Sequence, residues 1–369
     1  MPKTPSRALQ NTTRNKLAWK GGIPDTLGPW IELYFQREVK SSDSSRKVSR
    51  RDINRFHNFM LSELGNDFLI NWSPRLTKNF LSCLRDPERS PAGLRLADRT
   101  INRIISHLKP LANWIDKMNQ VKGLEAFDPF PTGNPMRSIP QVKAATLLCV
   151  ERALSPTERR RMLDAADLLP VTGGRSKDRN RYRGNERRPQ RKNYRPYRNR
   201  AIIYTLIETG MRRLAATRIA LDGVDPKRQV VKTIEKGDNT HEAMISRQAV
   251  QAIRDYVERE RHLDAEYFES LPDAVHPLPL FLPARNMRNQ KGHLLGDSIN
   301  RIWDEVAEVA KIEGRTPHSA RHAMGRHIID KTGNPSAVQR QLGHGSPWYA
   351  NHYSRITNNE LANVLDERE

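Results

Sequence analysis

Apolar side chains recur at helical spacing through the first third of the chain. Residues three, four and seven positions apart share one face of an α-helix, so this spacing predicts helices that bury that face in a core. Four such faces fall between residues 26 and 119. They are Trp30, Leu33 and Tyr34; Ile53, Phe56, Phe59 and Met60; Phe80, Leu81 and Leu84; and Ile101, Ile104, Ile105, Leu108, Leu111 and Trp114. We therefore expect a helical domain over residues 26–120.

Helix-breaking residues interrupt the helical pattern after residue 120. Asp128–Pro131 and Gly133–Pro135 combine the residue types that favour turns. We interpret residues 121–150 as a linker between two domains, and we expect the second domain to cover residues 151–369.

The second domain begins with the signals of a helix start. Ser155 is a suitable N-cap, Pro156 fits the first helical position, and Glu158 is three residues after the cap. Further along, Ala201–Ile207 is apolar on nearly every face, which predicts a buried helix, and Gly210 follows as its end.

Two short apolar runs predict a β-hairpin in this domain. Val230–Val231 and Ala243–Ile245 stand on either side of a Gly-Asp-Asn turn. Residues 248–261 and 299–310 return to helical spacing. The expected fold class is therefore mainly α with a small β-sheet or hairpin, an α+β second domain after a helical first domain.

The composition indicates a polyanionic partner. The chain of 369 residues has a formal net charge of +21, and its calculated isoelectric point is about 10.3, so nucleic acid is the expected ligand. No apolar run reaches the ~18 residues of a membrane span, and no secretion signal is evident. Cys83 and Cys149 have neither disulfide nor metal-site spacing, which suits a reducing cytoplasm.

The basic residues are concentrated in three places. Residues 1–20 contain five basic side chains and no acidic one, so we interpret 1–25 as a basic arm that either follows DNA or is a solvated tail. Basic side chains also lie on the polar faces of the first domain, where a row of them can contact phosphates. The candidates for DNA contact there are Arg50, Arg51, Arg99 and Arg103.

The third concentration is a stretch of low apolar content. Residues 175–200 contain twelve basic and two acidic residues, and we interpret about 171–199 as a basic insertion in the second domain. Either it becomes ordered on DNA, with arginines on phosphates and tyrosines on bases, or it is a solvated loop. Its candidate contacts are Arg187, Arg188, Arg191 and Lys192.

The residues with the clearest chemistry lie after position 200. Two arginines can hold the nonbridging oxygens of a phosphate through paired N–H donors. Histidines and a lysine can donate or move protons, and a tyrosine can act as a covalent nucleophile. These groups occur in one ordered set that is suited to attack on a phosphodiester. The set is Arg212, Lys236, His318, Arg321, His344 and Tyr353.

Several assignments in this set have competitors. The alternatives are Arg213 for Arg212, Lys232 for Lys236 and Tyr349 for Tyr353. A different chemistry is zinc binding, because His318 and His322 are four residues apart on a predicted helix. The metalloprotease pattern requires Glu directly after its first His, and Ser319 stands there. We therefore expect neither a metal nor a cofactor.

The ordered set, from Arg212 to Tyr353, resembles the tyrosine recombinases, also called phage integrases. The resemblance extends over about residues 26–369, with its sharp motifs after 200. It implies an N-terminal core-binding domain and a C-terminal catalytic domain that together clamp DNA. It also implies a site-specific recombinase, of the integrase or transposase kind, that cuts and rejoins DNA.

The resemblance also implies a role for each group. Tyr353 would attack phosphorus to form a 3′-phosphotyrosine, and Lys236 would protonate the leaving 5′ oxygen. The arginines and histidines would stabilise the charge on the phosphate. The protein would act as a homotetramer on two DNA sites, with or without accessory proteins, in the cytoplasm of a bacterial or phage host. The residues after Tyr353 would form a helix that docks on a neighbouring subunit or on its own core.

The chain departs from the family pattern at two places. The family usually has an acidic residue three positions after the first arginine, where this chain has Ala215, and it often has Asp-Leu where this chain has Ser319 and Ala320. Neither departure removes a catalytic group. Two other functions also stay open. One is a DNA-binding protein of this fold that does not cut, and the other is type IB topoisomerase-like relaxation of DNA.

Overall fold

The computed structural model describes most of the chain, in two compact units that divide after Ala145. Most of the predicted basic arm, most of the basic insertion and the segment after Ser354 lie outside the described residues. Lys236, Arg187, Arg188, Lys192, Tyr349 and Cys149 also lie outside them. The described residues are 24–88, 93, 95–121, 124, 126–143, 152–174, 191, 193–235, 239–285, 291–345, 350, 351, 353 and 354.

The first unit consists of helices, as its apolar spacing predicts. Its helices are α1 (Leu27–Arg37), α2 (Asp43–Leu64), α3 (Pro74–Cys83) and α4 (Asp98–Asp116), with short 3-10 turns at Leu69–Asn71 and Lys117–Gln120. The predicted apolar faces meet in one core, in which Trp30, Phe56, Phe80 and Ile105 are fully buried. Burial of these faces is the main stabilising contribution to the unit.

A buried carboxylate joins two helices of the first unit. Asp52 on α2 is 0% exposed and accepts hydrogen bonds from Arg103 Nε at 2.8 Å and Arg103 Nη2 at 3.1 Å. His107 Nδ1 lies 3.0 Å from the same carboxylate. A charge is tolerated at this depth only with such partners, so Arg103 is tied into the bundle.

The second unit is mainly helical and contains one small sheet. Its helices are α5 (Pro156–Thr172), α6 (Pro196–Thr209), α7 (Arg213–Ala216), α8 (Arg247–Tyr256), α9 (His262–Glu269), α10 (Gly296–Val309), α11 (Pro317–Thr332) and α12 (Pro335–Leu342). A π-helical turn, Val257–Arg261, joins α8 to α9. The strands are β1 (Val224–Asp225), β2 (Val230–Ile234) and β3 (Thr240–Met244).

The sheet has the antiparallel order β1-β2-β3. Val231 is opposite Ala243 and Thr233 is opposite His241, so the predicted hairpin is confirmed. Mainly helical structure with one small sheet is the fold class that the sequence predicts. No helix among the described residues is long and apolar enough to cross a membrane.

The predicted start of α5 is confirmed in detail. The Ser155 side chain accepts a hydrogen bond from the backbone N–H of Glu158 at 3.1 Å, and the Glu158 carboxylate accepts one from the backbone N–H of Ser155 at 2.7 Å. This reciprocal pair satisfies two backbone donors that the first turn of a helix leaves without partners.

Helix α6 lies at the centre of the second unit, between α5, α8 and α11. It begins at Pro196, within the stretch about 171–199 that the sequence assigns to the basic insertion. Arg195 and Arg198, which the sequence assigns to the basic stretch, are buried. Arg195 forms two 2.8 Å hydrogen bonds to Asp264, and Arg198 Nη1 donates to the carbonyl of Leu282 at 2.8 Å. Counting charge along the chain misses these partners because they lie far away in sequence.

Candidate active site

The site is built around the tight turn that ends α6. Gly210 has φ +67°, the left-handed conformation that favours glycine. A β-carbon there would lie 2.7 Å from Leu342 Cδ2 and 2.8 Å from Met324 Cβ. The turn therefore requires glycine for its backbone angle and for its close contact with α11 and α12. Two residues later it presents Arg212 at the start of α7.

Arg212 is held by a carboxylate from the hairpin. Its Nη1 donates a 2.6 Å hydrogen bond to Glu235 Oε2, while 43% of the arginine side chain is exposed. Glu235 itself is 6% exposed, and its second oxygen, Oε1, has no hydrogen-bond partner. Arg212 thus has one nitrogen fixed from inside the protein and keeps an open side toward solvent.

Arg321 is held by the ends of two other helices. It is 2% exposed; its Nη1 donates to the carbonyl of Gly210 at 3.0 Å and its Nη2 to the carbonyl of Leu342 at 2.6 Å. Burial, with the charge of Arg212, lowers its pKa to about 10, and the charge of Tyr353 and a hydrogen bond with it oppose that shift. The two guanidiniums and the tyrosine therefore share one site, and Arg321 stays protonated at neutral pH.

Two histidines of α11 belong to the same site. The His318 and His322 rings meet edge to face, with centroids 4.6 Å apart. His318 is exposed, and partial desolvation with the charge of Arg321 lowers its pKa. His322 is 8% exposed, neither of its ring nitrogens has a hydrogen-bond partner, and burial lowers its pKa to about 4. Both imidazoles are therefore neutral at pH 7.

His344 and Tyr353 pack face to face. Their ring centroids are 5.8 Å apart and the planes are within 11° of parallel. Burial, together with the charges of Arg321 and Arg212, lowers the pKa of His344 to about 4. Tyr353 is 4% exposed. The predicted nucleophile thus lies inside its own unit, against the histidine and Arg321.

The side chain of Gln341 helps to fix helix α12 to the hairpin. Gln341 Nε2 donates to the carbonyls of Met244 at 2.8 Å and Thr209 at 3.2 Å, and Gln341 Oε1 accepts from the Met244 backbone N–H at 3.0 Å. The helix ends at Gly343, which has φ +65° and packs against the His241 ring. These contacts fix the turn that carries His344.

The predicted site residues divide into three groups. The structure brings five of the six together around the α6 turn: Arg212, His318, Arg321, His344 and Tyr353. Lys236, the sixth, lies outside the described residues, and so does Tyr349, the rival nucleophile. The other two alternatives, Arg213 and Lys232, are among the described residues and form ion pairs outside the site. Arg213 Nη1 lies 3.7 Å from Asp297, and Lys232 Nζ lies 3.1 Å from Glu242 on the neighbouring strand.

The candidate DNA contacts of the first unit differ in their surroundings. Arg103 is occupied by Asp52 as described above. Arg50 forms an ion pair with Glu32 and stacks over Phe35, with its guanidinium 4.5 Å from the ring centre. Arg51 has a 62% exposed side chain, and Arg99 is also exposed.

Of the candidate DNA contacts in the basic insertion, only Arg191 is among the described residues. Its Nη2 lies 2.7 Å from Glu305, and its guanidinium lies over the Tyr194 ring. Exposure alone therefore does not separate DNA contacts from structural arginines, and all eight candidates stay predictions.

Three further residues of the site escaped sequence reasoning. The sequence gives no signal for Glu235, because an acidic side chain beside a phosphate site runs against expectation. For His322 the sequence suggests only a zinc ligand, and no group of three or more potential metal ligands occurs among the residues that the structure describes. Gly325 lies on α11 against the Tyr353 ring. Its one signal in the sequence is that glycine inside a helix is unfavourable by ~1 kcal/mol relative to alanine.

Residues 188–360 match the family model described as the phage integrase family. Most of the second unit is therefore similar to the phage integrase family. Its relatives include the tyrosine recombinase XerC of Corynebacterium glutamicum, 26% identical over 46% of this chain and 50% of that protein. The tyrosine recombinase XerD of Mycobacterium leprae is 30% identical over 45% of this chain and 51% of that protein. The chain thus spans about half the length of these relatives.

Solved structures of the same fold cover both units. The XerH site-specific recombinase bound to palindromic difH substrate covers 91% of this chain and 83% of that chain, with a TM-score of 0.63 and 18% identity. A lambda integrase dimer bound to a COC′ core site covers 96% of this chain and 81% of that chain, with a TM-score of 0.58 and 12% identity. At such identities the match establishes the fold.

Proposed function

We propose that this chain is a DNA strand transferase that cuts and rejoins DNA at specific sites through a 3′-phosphotyrosine intermediate. One observation carries the proposal: the phenol of Tyr353 lies against His344 and Arg321. Arg212 is close enough to Arg321 for its charge to lower the pKa of that guanidinium. A buried tyrosine beside two arginines is suited to attack a phosphodiester.

The proposed reaction exchanges one phosphate ester for another. The oxygen of Tyr353 attacks phosphorus, the bond to the 5′ oxygen breaks, and the phosphate of the 3′ end becomes linked to the tyrosine. The leaving oxygen takes a proton, which we assign to Lys236. The phenol proton passes to a neutral imidazole, because lowered pKa values leave His318 and His344 with a lone pair at pH 7.

Charge stabilisation is the task of the two arginines. Negative charge builds up on the phosphate oxygens in the transition state, and fixed donors in a partly dry site stabilise it. Arg321 is held rigidly by the carbonyls of Gly210 and Leu342. Arg212 is held on one nitrogen and is open on the other side. This pair supplies the cationic role without a metal ion, and resealing reverses the same steps without ATP.

The partners follow from the same chemistry. A net charge of +21 favours a DNA ligand. The structural neighbours include a recombinase bound to its substrate and an integrase dimer bound to a core site. We propose that this chain acts on two duplex sites as a homotetramer in the cytoplasm, since strand exchange needs four cuts and each subunit carries one tyrosine of this kind.

Trapping of the covalent intermediate tests the proposal. Duplexes selected from a random-sequence pool by binding to the protein would be nicked at each position in turn, so that the fragment released by cleavage diffuses away. Wild-type protein should become linked to DNA in denaturing gels, and Tyr353→Phe should bind the same DNA without becoming linked. A catalytically silent DNA-binding protein would give no linkage with either. Relaxation of supercoiled plasmid that lacks the selected site would instead favour topoisomerase-like activity.

A further inference from the structure

The site contains a carboxylate that the proposed reaction does not use. Glu235 is 6% exposed and lies beside the cations that would hold the DNA phosphate. A negative charge there repels the phosphate, and burying it is costly without full pairing. Its Oε1 has no hydrogen-bond partner, which adds to the cost of burial. Such a buried, half-satisfied group calls for a functional reason.

The contact of Glu235 with Arg212 supplies that reason. Oε2 accepts a 2.6 Å hydrogen bond from Arg212 Nη1, and the arginine side chain is otherwise 43% exposed. An arginine at a helix start has many rotamers, and ordering it on DNA would cost free energy. A charge-assisted hydrogen bond from inside the protein fixes the guanidinium in advance.

The position of Glu235 is itself fixed by the hairpin. Its backbone N–H donates to the carbonyl of Asn239 at 2.9 Å across the turn. Two residues earlier, the Thr233 hydroxyl donates to the carbonyl of Ala215 at 2.6 Å. Strand β2 is therefore tied to α7, which begins directly after Arg212, and the carboxylate follows the end of this strand.

The same contact explains a departure in the sequence. Ala215 is three residues after Arg212 and carries only a methyl group. The family that the sequence resembles usually has an acidic side chain at this position. Ala215 is 3% exposed and packs in the core of the unit. Glu235, directly after β2, supplies a carboxylate to Arg212 that α7 lacks.

We propose, on the basis of the function proposed above, that Glu235 is a positioning residue that orients Arg212 toward the scissile phosphate. The role of Glu235 depends on its contact with Arg212 and not on proton transfer to the leaving group. Loss of its charge should therefore weaken the transition-state contact of Arg212 while DNA binding persists.

The test compares Glu235→Gln, Arg212→Lys and the double variant in the covalent-trapping reaction. Glutamine keeps the shape of the side chain and removes the charge. Glu235→Gln should slow linkage by about 10- to 100-fold. Because its effect passes through Arg212, it should add little in the Arg212→Lys background. Independent, multiplied effects would overturn the proposal.

A modified DNA substrate distinguishes a defect in Arg212 from a defect in Lys236, the proposed proton donor to the leaving oxygen. Sulfur in place of the bridging 5′ oxygen leaves without protonation, so defects in proton donation disappear on that substrate. The Glu235→Gln defect should persist on it, and recovery to the wild-type rate would refute the role assigned here. Glu235→Asp keeps the charge but cannot reach as far, and it should also be slow.

Controls separate the failure of this inference from failure of the proposed function. Glu242→Gln changes a carboxylate on the same hairpin that pairs with Lys232 at 3.1 Å, and it should react at the wild-type rate. Unchanged circular dichroism and DNA affinity exclude misfolding of the Glu235 variants. If wild-type protein never links to DNA, the proposed function falls and this inference with it. If wild type reacts and Glu235→Gln reacts equally fast, only this inference falls.

Discussion

The Tyr353 ring lies directly against the α-carbon of Gly325, in the middle of α11. A β-carbon at Gly325 would be 2.5 Å from Cε1 and 2.6 Å from Cδ1 of the tyrosine ring. Those distances are shorter than any real carbon contact, so the ring position depends on the absence of a side chain. The Tyr353 ring, the proposed nucleophile, therefore packs against the backbone of α11 at Gly325.

Gly325→Ala should displace Tyr353 and slow formation of the covalent complex by about 100-fold, because small displacements of a reacting atom are costly. DNA affinity should stay unchanged, since the change lies beneath the ring. Gly345→Ala is the matched control: a β-carbon there meets nothing within 4 Å. Equal linkage rates for the two variants would show that the ring position is unimportant.

Acid should destabilise the second unit through His322. Its pKa is about 4 in the folded protein against an ordinary value of 6.5. Between these pH values the unfolded chain binds a proton that the folded protein does not bind. Stability is therefore fully present above pH 6.5 and falls as the pH drops toward 4.

His322→Gln should remove this contribution. The free energy of unfolding of the wild type, measured with urea from pH 7 to 4, should fall more steeply than that of the variant. The difference in slope is up to about 1.4 kcal/mol per pH unit. Parallel curves would contradict the burial of a neutral imidazole at this position.

Gln341 should stabilise the second unit by tying α12 to the hairpin. Gln341→Ala removes three hydrogen bonds that join it to Met244 and Thr209. We expect the free energy of unfolding to fall by about 2 kcal/mol, from roughly 0.5–1.5 kcal/mol for each bond. Gln251→Ala, which removes one exposed hydrogen bond to Asp255, should change it little. Similar urea midpoints for the two variants would refute this role.

Substitution of two arginines of the first unit should affect different properties: DNA affinity for Arg51 and stability for Arg103. Arg51→Gln should lower DNA affinity and reduce the dependence of log affinity on log salt by about 1. It should cost little stability, because Arg51 is 62% exposed and its contact with Asp52 is long, at 4.0 Å. Arg103→Gln should lower the free energy of unfolding by about 2 kcal/mol because the buried Asp52 carboxylate loses the guanidinium that pairs with it. Filter binding at several salt concentrations and urea titration measure both effects. A destabilised Arg51 variant or a fully stable Arg103 variant would contradict these assignments.

The sequence predicts the fold correctly where helices, caps and strands are determined by residues close together in the chain. The apolar faces of α2 and α4, the Ser155 cap and the hairpin around Val231 are set by neighbours in sequence, and the structure has them as predicted. The sequence does not predict the start of α6, because Arg195 and Arg198 belong to a highly charged stretch and such stretches are usually exposed to solvent. Their partners, Asp264 and the carbonyl of Leu282, come from distant segments.

The site followed from the sequence only as far as residue types carry chemistry. His318, Arg321 and Tyr353 stand out through their order and spacing. Glu235 and Gly325 do not, because their importance lies in what they touch across the fold. A carboxylate beside an arginine from another element, or a glycine beneath a ring, leaves no periodic pattern along the chain.

Peptide mapping of the trapped complex tests the central claim most directly. After digestion with nuclease and protease, mass spectrometry would locate the residual nucleotide on one tyrosine of the wild-type protein. The account predicts a 3′-phosphate linkage on Tyr353 and an unmodified Tyr349. A nucleotide on Tyr349, or on any residue other than Tyr353, would contradict it.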